Sequence, residues 1–299
     1  MKVITWNVNG IRTRIFNRKT CAQNAKNLEI LQEEGSPIDN FIKNNDPDFL
    51  CFQETRCSVS NGQKFKIPGY NSVFNQSNNV GAREANRYSG TCIFYKDIYK
   101  PIAIQYQVPG YSDNEGRLII IHFNNFTIIN VYTPNSGTNL DNRLEWQIAM
   151  LHYLKSLQTS VIYTGDMNVA WRDQDVHFGI VDSPTYKNVI SDSIVGFLPE
   201  ERAFVPELVS IGYEDAYISQ ESKHDKFDGF TYWDSRAKKI EGLPGTRFNK
   251  HGWRIDYHFV KNVRTLECYA MYSAGTEYIN LGDCQCSDHC PVFGHFIIN

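Results

Sequence analysis

Short runs rich in Val, Ile, Phe and Tyr that break off abruptly into an amide or a carboxylate are what most restrict this chain. Val3–Trp6 leads into Asn7-Val8-Asn9-Gly10, and Phe49–Phe52 into Gln53-Glu54-Thr55. Thr127–Tyr132 leads into Thr133-Pro134-Asn135, and Val161–Thr164 into Gly165-Asp166-Met167-Asn168. Ser287-Asp288-His289 stands just ahead of the run Val292–Ile298, and Asp256 lies within Arg254-Ile255-Asp256-Tyr257. Runs of this composition favour strands. A strand that is apolar and then presents Asn, Glu or Asp either caps a turn or aims that side chain into a cleft.

Further strands are expected at Thr91–Tyr95, Arg117–His122, Ile255–Val260 and Leu266–Tyr272. Helices separate them. Leu140, Leu144, Ile148 and Leu151 share one helical face, with Thr138 or Asn139 placed to cap its start. A helix Glu200–Ile211 follows Pro199 and stops at Gly212, and others are expected at Cys21–Glu34 and Ile38–Asn44. Strand pairs flanked by helices occur twice. That pattern suits an α/β, four-layer sandwich in which two mixed β-sheets pack face to face with helices outside. No Pro/Gly/Ser linker divides residues 1–299, so one domain is expected.

The formal net charge of -3 excludes a histone-like coating of nucleic acid. Any grip on DNA must come from local positive charge. Lys2-Val3-Ile4-Thr5-Trp6 reads as a strand rather than a secretory leader, and no apolar stretch is long enough to span a bilayer. The expectation is a cytoplasmic or nuclear protein, not secreted and not membrane-bound. The eight cysteines are then expected to be reduced, and Cys284-x-Cys286-x-x-x-Cys290 lacks a zinc-ribbon spacing.

Singly, the polar strand ends have plain structural readings: Asn7 and Asn9 as turn residues before Gly10, Glu54 as a helix-start carboxylate, His289 as a core histidine. Together they are what hydrolysis of a phosphodiester needs. The diester is anionic, so a hard divalent cation must offset its charge, and such cations take oxygen ligands. Glu54 supplies a formal charge and Asn7 a neutral oxygen or an amide donor. Asp166 suits the task of deprotonating water. A protonated His289, kept so by Asp256, suits the charge that grows on the phosphoryl oxygens.

These segments resemble the exonuclease III type of apurinic/apyrimidinic (AP) endonuclease, within the endonuclease/exonuclease/phosphatase superfamily. The matching stretches run from Ile4-Thr5-Trp6-Asn7-Val8-Asn9-Gly10-Ile11-Arg12 through Gln53-Glu54-Thr55-Arg56, Arg87-Tyr88-Ser89-Gly90, Glu115-Gly116-Arg117 and Gly165-Asp166-Met167-Asn168 to Gly252-Trp253-Arg254-Ile255-Asp256-Tyr257 and Ser287-Asp288-His289-Cys290-Pro291. The resemblance implies a DNase I-like fold and a DNA repair activity. It implies cleavage 5′ to an abasic site in double-stranded DNA, leaving a 3′-hydroxyl, with 3′ to 5′ exonuclease or 3′-phosphodiesterase activity as accompaniments. The implied cofactor is Mg2+, with Mn2+ as a substitute, and the implied working form is a monomer.

The roles it implies are these. Glu54 is the principal metal ligand, with Asn7, Asn9 and Asp288 near it and with Asp166, Asn168 and His289 bordering the same site. Asp166 activates water or assists the leaving group, Asn168 orients phosphate or water, and Asp256 and His289 are the coupled pair. Tyr132 and Asn135 contact phosphate, while Arg87, Tyr88 and Arg117 contact the duplex. Tyr232, Trp253 and Ile255 form an apolar pocket for a flipped-out baseless sugar.

Departures from the family pattern lie at residues 14–36 and 234–251, which read as insertions. The second carries Arg236, Lys238, Lys239, Arg247 and Lys250 and is the expected DNA-gripping patch. Where some relatives insert an arginine into the groove, Thr138 stands here, with Arg143 further along. The stretch Trp171–Val195 matches poorly and is assigned no site. Two alternatives stay open at this stage: a phosphoesterase acting on RNA, lipid or inositol phosphates, and an inactive DNA-binding protein.

Overall fold

In a computed structural model, residues 1–11, 30–31, 37–78, 88–137, 139–177, 194–223, 229–233, 252–271 and 287–298 are described. The described strands, in chain order, are β1 Lys2–Asn7, β2 Ile30–Leu31, β3 Phe49–Gln53, β4 Phe65–Lys66, β5 Tyr70–Asn75, β6 Thr91–Lys96, β7 Ala103–Gln105, β8 Leu118–His122, β9 Phe126–Tyr132, β10 Ser160–Asp166, β11 Val176–His177, β12 Glu214–Asp215, β13 Gly252–Trp253, β14 Asp256–Lys261, β15 Val263–Ala270 and β16 Val292–Ile298.

Strands apolar at nearly every position lie in the middle of two six-stranded sheets, ordered β15-β16-β1-β3-β6-β5 and β12-β14-β10-β9-β8-β7. Period-two geometry sends alternate side chains to opposite faces, so such strands must be covered on both. Val3, Phe49, Cys51 and Ile93 of the first sheet meet Ile119, Ile121, Ile128, Ile162 and Val260 of the second in one core. The opposite faces carry Ile4, Trp6, Leu50 and Phe52 toward Ile38 and Phe41 of the helix Pro37–Asn45. On the second sheet, Ile129, Val131, Val161 and Tyr163 pack on Trp146, Met150, Phe204 and Leu208 of helices Leu140–Ser156 and Phe204–Ser210. Helix, sheet, sheet, helix is the four-layer sandwich expected from sequence.

Each sheet contains one parallel pair, β1 with β3 and β9 with β10; the remaining ladders are antiparallel. Ligands of mixed and parallel sheets bind beyond the carboxyl ends of such strands. Both parallel pairs end in the motif residues, which is why four distant segments arrive at one edge of the sandwich.

The sheets are also pinned by buried polar contacts. Gln53 Nε2 donates to Asn130 Oδ1 at 2.7 Å, and Asn130 Nδ2 donates to the Phe52 and Cys92 carbonyls. His258 Nδ1 lies 2.8 Å from Thr164 Oγ1, and its Nε2 reaches Val292 O in the opposite sheet at 3.1 Å. Burial lowers the His258 pKa from 6.5 to about 4. A depressed imidazole costs nothing above pH 6.5, where both folded and unfolded forms are neutral. Stability is lost as pH falls from 6.5 through 4, on the order of 3 kcal/mol. Urea midpoints measured across that range should fall with acid, and His258→Gln should flatten the fall.

Three helix expectations are corrected. Ile30–Leu31, inside the expected helix Cys21–Glu34, is a strand, because its backbone pairs in parallel with Phe65–Lys66; the rest of that segment lies outside the described residues apart from these two. The expected helix Glu200–Ile211 is two, Pro199–Arg202 and Phe204–Ser210, with a break at Ala203. Pro206 has no N–H to give the Arg202 carbonyl and disfavours helical geometry before it. The stop at Gly212 stands: its N–H bonds Val209 O and the Tyr213 N–H bonds Leu208 O, a Schellman ending. The helix Leu140–Ser156 starts as expected, Asn139 Oδ1 accepting from Asn142 N, but it buries Arg143, Trp146, Gln147, Met150 and Leu154, while Ile148 is exposed. Among the described residues no helix is long and apolar enough to cross a membrane, and Cys51, Cys57, Cys92, Cys268 and Cys290 are free thiols. Arg87, Thr138, the 234–251 basic stretch, Cys284 and Cys286 lie outside the described residues.

Candidate active site

Register explains how the site assembles. Asn7 is the last residue of β1 and pairs with Gln53, so Glu54 follows beside it. Asp166 is the last residue of β10 and pairs with Tyr132 on one side and Asp256 on the other. One edge of the two sheets therefore presents Asn7, Glu54, Tyr132, Asp166 and Asp256. Asn7 spans the sheets: its Nδ2 donates to Glu54 Oε1 at 3.0 Å and to Asp166 Oδ2 at 2.9 Å.

The same turn follows both strands. Asn7 Oδ1 accepts from Asn9 N at 3.1 Å, and Asp166 Oδ1 from Asn168 N at 2.8 Å. Asn9 and Asn168 both take left-handed backbone, φ 47° and 48°, which Asn tolerates better than most residues. Glu54 does too, at φ 49°, a conformation that costs a Glu about 1–3 kcal/mol. The Glu54 carbonyl accepts from Gly10 N at 2.8 Å, which ties that turn to the one after β1. Strain of this kind at a site is a signature of imposed geometry. Gly165, just ahead of Asp166, is required because a Cβ there would lie 2.0 Å from the Val131 carbonyl oxygen.

His289 completes the cluster. Its Nδ1 is 2.8 Å from Asp256 Oδ2 and its Nε2 is 3.8 Å from Asp166 Oδ2. Trp6 Nε1 donates to the His289 carbonyl, while Ser287 Oγ accepts from His289 N and donates to Asn7 O. Burial alone would lower this imidazole, but Asp256, and then Asp166 and Asp288, outweigh it and raise it to about 10. It is an imidazolium at neutral pH. Burial and the Asp256 charge raise Asp166 to about 7, against the pull of His289 and the Asn7 amide. Asp288 Oδ1 accepts from Asn9 Nδ2 at 3.0 Å, which brings a further carboxylate to the Asn7 side.

Arg117 organises the residues expected to contact phosphate and duplex. It is buried, its guanidinium lies 4.6 Å over the Tyr132 ring, and it donates to Tyr132 O, Glu115 Oε2 and the Tyr88 hydroxyl. Arg117 thus holds Tyr132 and Tyr88 in place rather than presenting itself at the surface. Tyr88 is exposed, and Asn135 is exposed with its Oδ1 accepting from Gly137 N. Burial, then the Glu54 charge, holds the Tyr132 phenol well above its usual value, so it is a hydrogen-bond donor.

Ile255, Tyr232 and Trp253 come together as expected, in one apolar cluster with Ala170, Val176 and Phe197. The Tyr232 ring lies 4.9 Å from that of His289. The apolar patch therefore adjoins the imidazolium directly.

Sequence reasoning passed over several residues that hold this arrangement. Thr231 Oγ1 accepts from both Ile255 N and Asp256 N at 3.1 Å, which sets the start of β14. Arg143 is fully buried; it donates to Pro134 O, Met167 O and Gln147 Oε1, and so joins the turns after β9 and β10. Arg254, buried beside the pocket, bonds Asp175 through Nε and Nη2 and Asp215 through Nη1, at 2.8–3.0 Å. Asp175 lies in the stretch assigned no site, and no local pattern marks a partner 79 residues away. Removing one member of such a buried set leaves uncompensated charge. Arg254→Ala should lower unfolding free energy by about 3–5 kcal/mol in urea titrations.

Residues 4–289 match the Endonuclease/Exonuclease/phosphatase family. The chain is 30% identical over 301 residues to a DNA-(apurinic or apyrimidinic site) endonuclease of Dictyostelium discoideum, covering 98% of this chain and 69% of that one. It is 30% identical over 307 residues to an exodeoxyribonuclease of Bacillus subtilis (strain 168), covering 100% of each. Among solved structures, an AP endonuclease from Archaeoglobus fulgidus superposes with TM-score 0.69 at 23% identity over 100% of both chains, which bears on fold alone. The AP endonuclease LMAP from Leishmania major gives TM-score 0.69 at 25% identity, over 100% of this chain and 87% of that one.

Proposed function

The chain belongs to the endonuclease/exonuclease/phosphatase family, and from that premise we propose that it is a metal-dependent DNA-repair hydrolase that cuts the phosphodiester 5′ to an abasic site in double-stranded DNA and leaves a 3′-hydroxyl. The relatives named as AP endonuclease and exodeoxyribonuclease support this reading. So does the observation that carries it: Asn7 bridges Glu54 and Asp166, beside the His289–Asp256 pair and an apolar patch of Tyr232, Trp253 and Ile255. A 3′ to 5′ exonuclease or 3′-phosphodiesterase activity would use the same cleft. The match over 4–289 supports one catalytic domain. We further propose that it works as a monomer, in the cytoplasm or nucleus.

The donor set fits Mg2+, or Mn2+ in its place. Around Asn7 stand the carboxylates of Glu54, Asp166 and Asp288, all hard oxygen donors with no thiolate among them, and the amides of Asn7 and Asn9 hold those carboxylates in place through Nδ2. Asp166, Asp256 and His289 also lie close enough to enclose an ion, their ligand atoms being within 4.8 Å of one another. We assign the ion to the Glu54 side instead, because an imidazolium hydrogen-bonded to Asp256 is a donor and not a ligand. When bound there, a divalent cation offsets the charge of the phosphodiester and of its transition state.

The chain's own residues then divide the work. Asp166 takes the proton from the attacking water, a role suited to a carboxylate with a raised proton affinity. His289 donates through Nε2–H to a phosphoryl oxygen as its charge grows, and Asp256 keeps it protonated. Tyr132 donates its phenol to phosphate, and Asn168, fixed by Thr133 O at 2.8 Å, orients phosphate or water. Asn135, Tyr88 and Arg87 bind the backbone, while Arg117 fixes Tyr132 and Tyr88. Tyr232, Trp253 and Ile255 take the baseless sugar, which leaves its stack at little cost and offers nothing to hydrogen-bond.

The test compares an abasic duplex, an intact duplex and a soluble phosphoester, with Mg2+ and with EDTA. The reading expects rapid Mg2+-dependent internal cleavage of the first alone, with a 3′-hydroxyl on the upstream product, any action on the intact duplex being confined to its 3′ ends. Preferred hydrolysis of RNA, lipid or inositol phosphate esters would assign the site to another branch of the family.

A further inference from the structure

Glu54 is not a bare carboxylate. Its Oε1 accepts from Asn7 Nδ2, and its Oε2 accepts from Arg56 Nε at 3.0 Å and Nη2 at 2.5 Å. The Tyr132 hydroxyl also hydrogen-bonds to it. Asn7 and Tyr132 are set in the wall of the site. Arg56 is not: its side chain is 41% exposed, against 16% for Glu54. Left-handed backbone at both 54 and 56, φ 49° and 48°, folds this segment so that the two side chains meet. The Arg56 backbone is held separately, its N–H donating to Ser89 O at 2.9 Å, one residue from the exposed Tyr88.

A divalent ion seeking Glu54 meets a guanidinium already bound to its Oε2 through two N–H groups. Two cations cannot share that oxygen, because at about 4 Å their repulsion amounts to several kT even at a surface dielectric. The guanidinium is the one free to leave. Once released, it swings from a backbone anchored beside Tyr88, on the side where the duplex lies in the reading above.

We propose that Arg56 is a built-in counter-ion of the metal carboxylate, held on Glu54 while no divalent ion is bound and transferred to a DNA phosphate when one binds. The exchange keeps the site near neutral in both states and makes metal loading and DNA binding favour each other. It rests on the reading of Glu54 as the metal ligand, and the experiment separates the two.

Mn2+ binding without DNA is measured by electron paramagnetic resonance on the wild type and on Glu54→Gln, Arg56→Gln and Arg56→Lys. Glu54→Gln should bind Mn2+ more weakly; if it does not, the ligand assignment fails, and the counter-ion with it. Given that weakening, Arg56→Gln should bind Mn2+ about three- to tenfold more tightly than wild type, and Arg56→Lys should stay near wild type. Unchanged or weaker Mn2+ binding by Arg56→Gln would overturn the counter-ion while leaving Glu54 as ligand. Abasic-duplex affinity is then read by anisotropy in an Asp166→Asn background, which suppresses cleavage. Arg56→Gln should weaken it about three- to tenfold with Mn2+ and leave it unchanged in EDTA. Equal loss under both conditions, or no loss with Mn2+, would overturn the transfer.

Discussion

Glu54→Gln is expected to slow cleavage of an abasic duplex about a thousandfold at fixed Mg2+. The substitution keeps shape and removes the formal charge that Glu54 holds beside Asn7. A Lewis-acid cation supplies several kcal/mol of transition-state stabilisation, and each 1.4 kcal/mol is about tenfold in rate. Asp166→Asn is expected to cost about 10²- to 10⁴-fold, the range for a positioned general base. Because Asn7 bonds both carboxylates, the two act as one unit, and the double variant should be little slower than the worse single one. Single-turnover kinetics with substrate in deficit check this. Losses that multiply would mean the two residues work independently.

The imidazolium carries the second large effect. His289→Asn should slow the chemical step about 10²- to 10³-fold, the loss typical of one donor aimed at developing charge. Its pH signature is more telling. Held up to about 10 by Asp256 against burial, His289 is protonated through neutral pH, so the rate should rise as the base Asp166 ionises through about 7, level off, and fall as pH rises through about 10. Asp256→Asn removes the anion 2.8 Å from Nδ1. The alkaline limb should then move down toward the ordinary histidine value near 6.5. A pH–rate profile of the wild type and Asp256→Asn, taken with saturating metal, reads the shift. An alkaline limb that stays in place would show that the charge on His289 is not what limits the reaction.

Much of the site was legible in the sequence because its chemistry is written at strand ends. Asn7, Glu54, Tyr132, Asp166 and His289 each follow or precede an apolar run, and a polar side chain there has only a cap or a cleft to go to. That Asn7 and Asn9 were also plausible turn residues proved no contradiction. Asn7 caps the turn with Oδ1 and contacts Glu54 and Asp166 with Nδ2. The sandwich was legible for a similar reason, since strands apolar on both faces must be covered on both.

What escaped depends on partners far along the chain. From sequence, Arg143 reads only as an arginine further along from Thr138, on a helix whose expected apolar face includes Ile148. In the fold Arg143 is buried and Ile148 exposed, because carbonyls at Pro134 and Met167, supplied by other turns, make a guanidinium acceptable inside. Arg254, Asp175 and Asp215 stabilise one another only in three dimensions. Arg117 reads from sequence as a basic residue for DNA, yet Glu115, Tyr88 and Tyr132 use it as a brace. The polar strand β5, with Tyr70, Asn71, Ser72 and Asn75, and the wholly exposed β7 at a sheet edge carry too little apolar alternation to be seen.

The most direct measurement is an anomalous difference map from crystals soaked in Mn2+. A strong peak is expected about 2–2.5 Å from a Glu54 carboxylate oxygen, on the Asn7 side of Asp166, with Nε2 of His289 directed to the same space but not bound to the ion. A peak bound to His289 and Asp256 instead, or none near residue 54, would contradict the account of where charge is offset and where the proton is held.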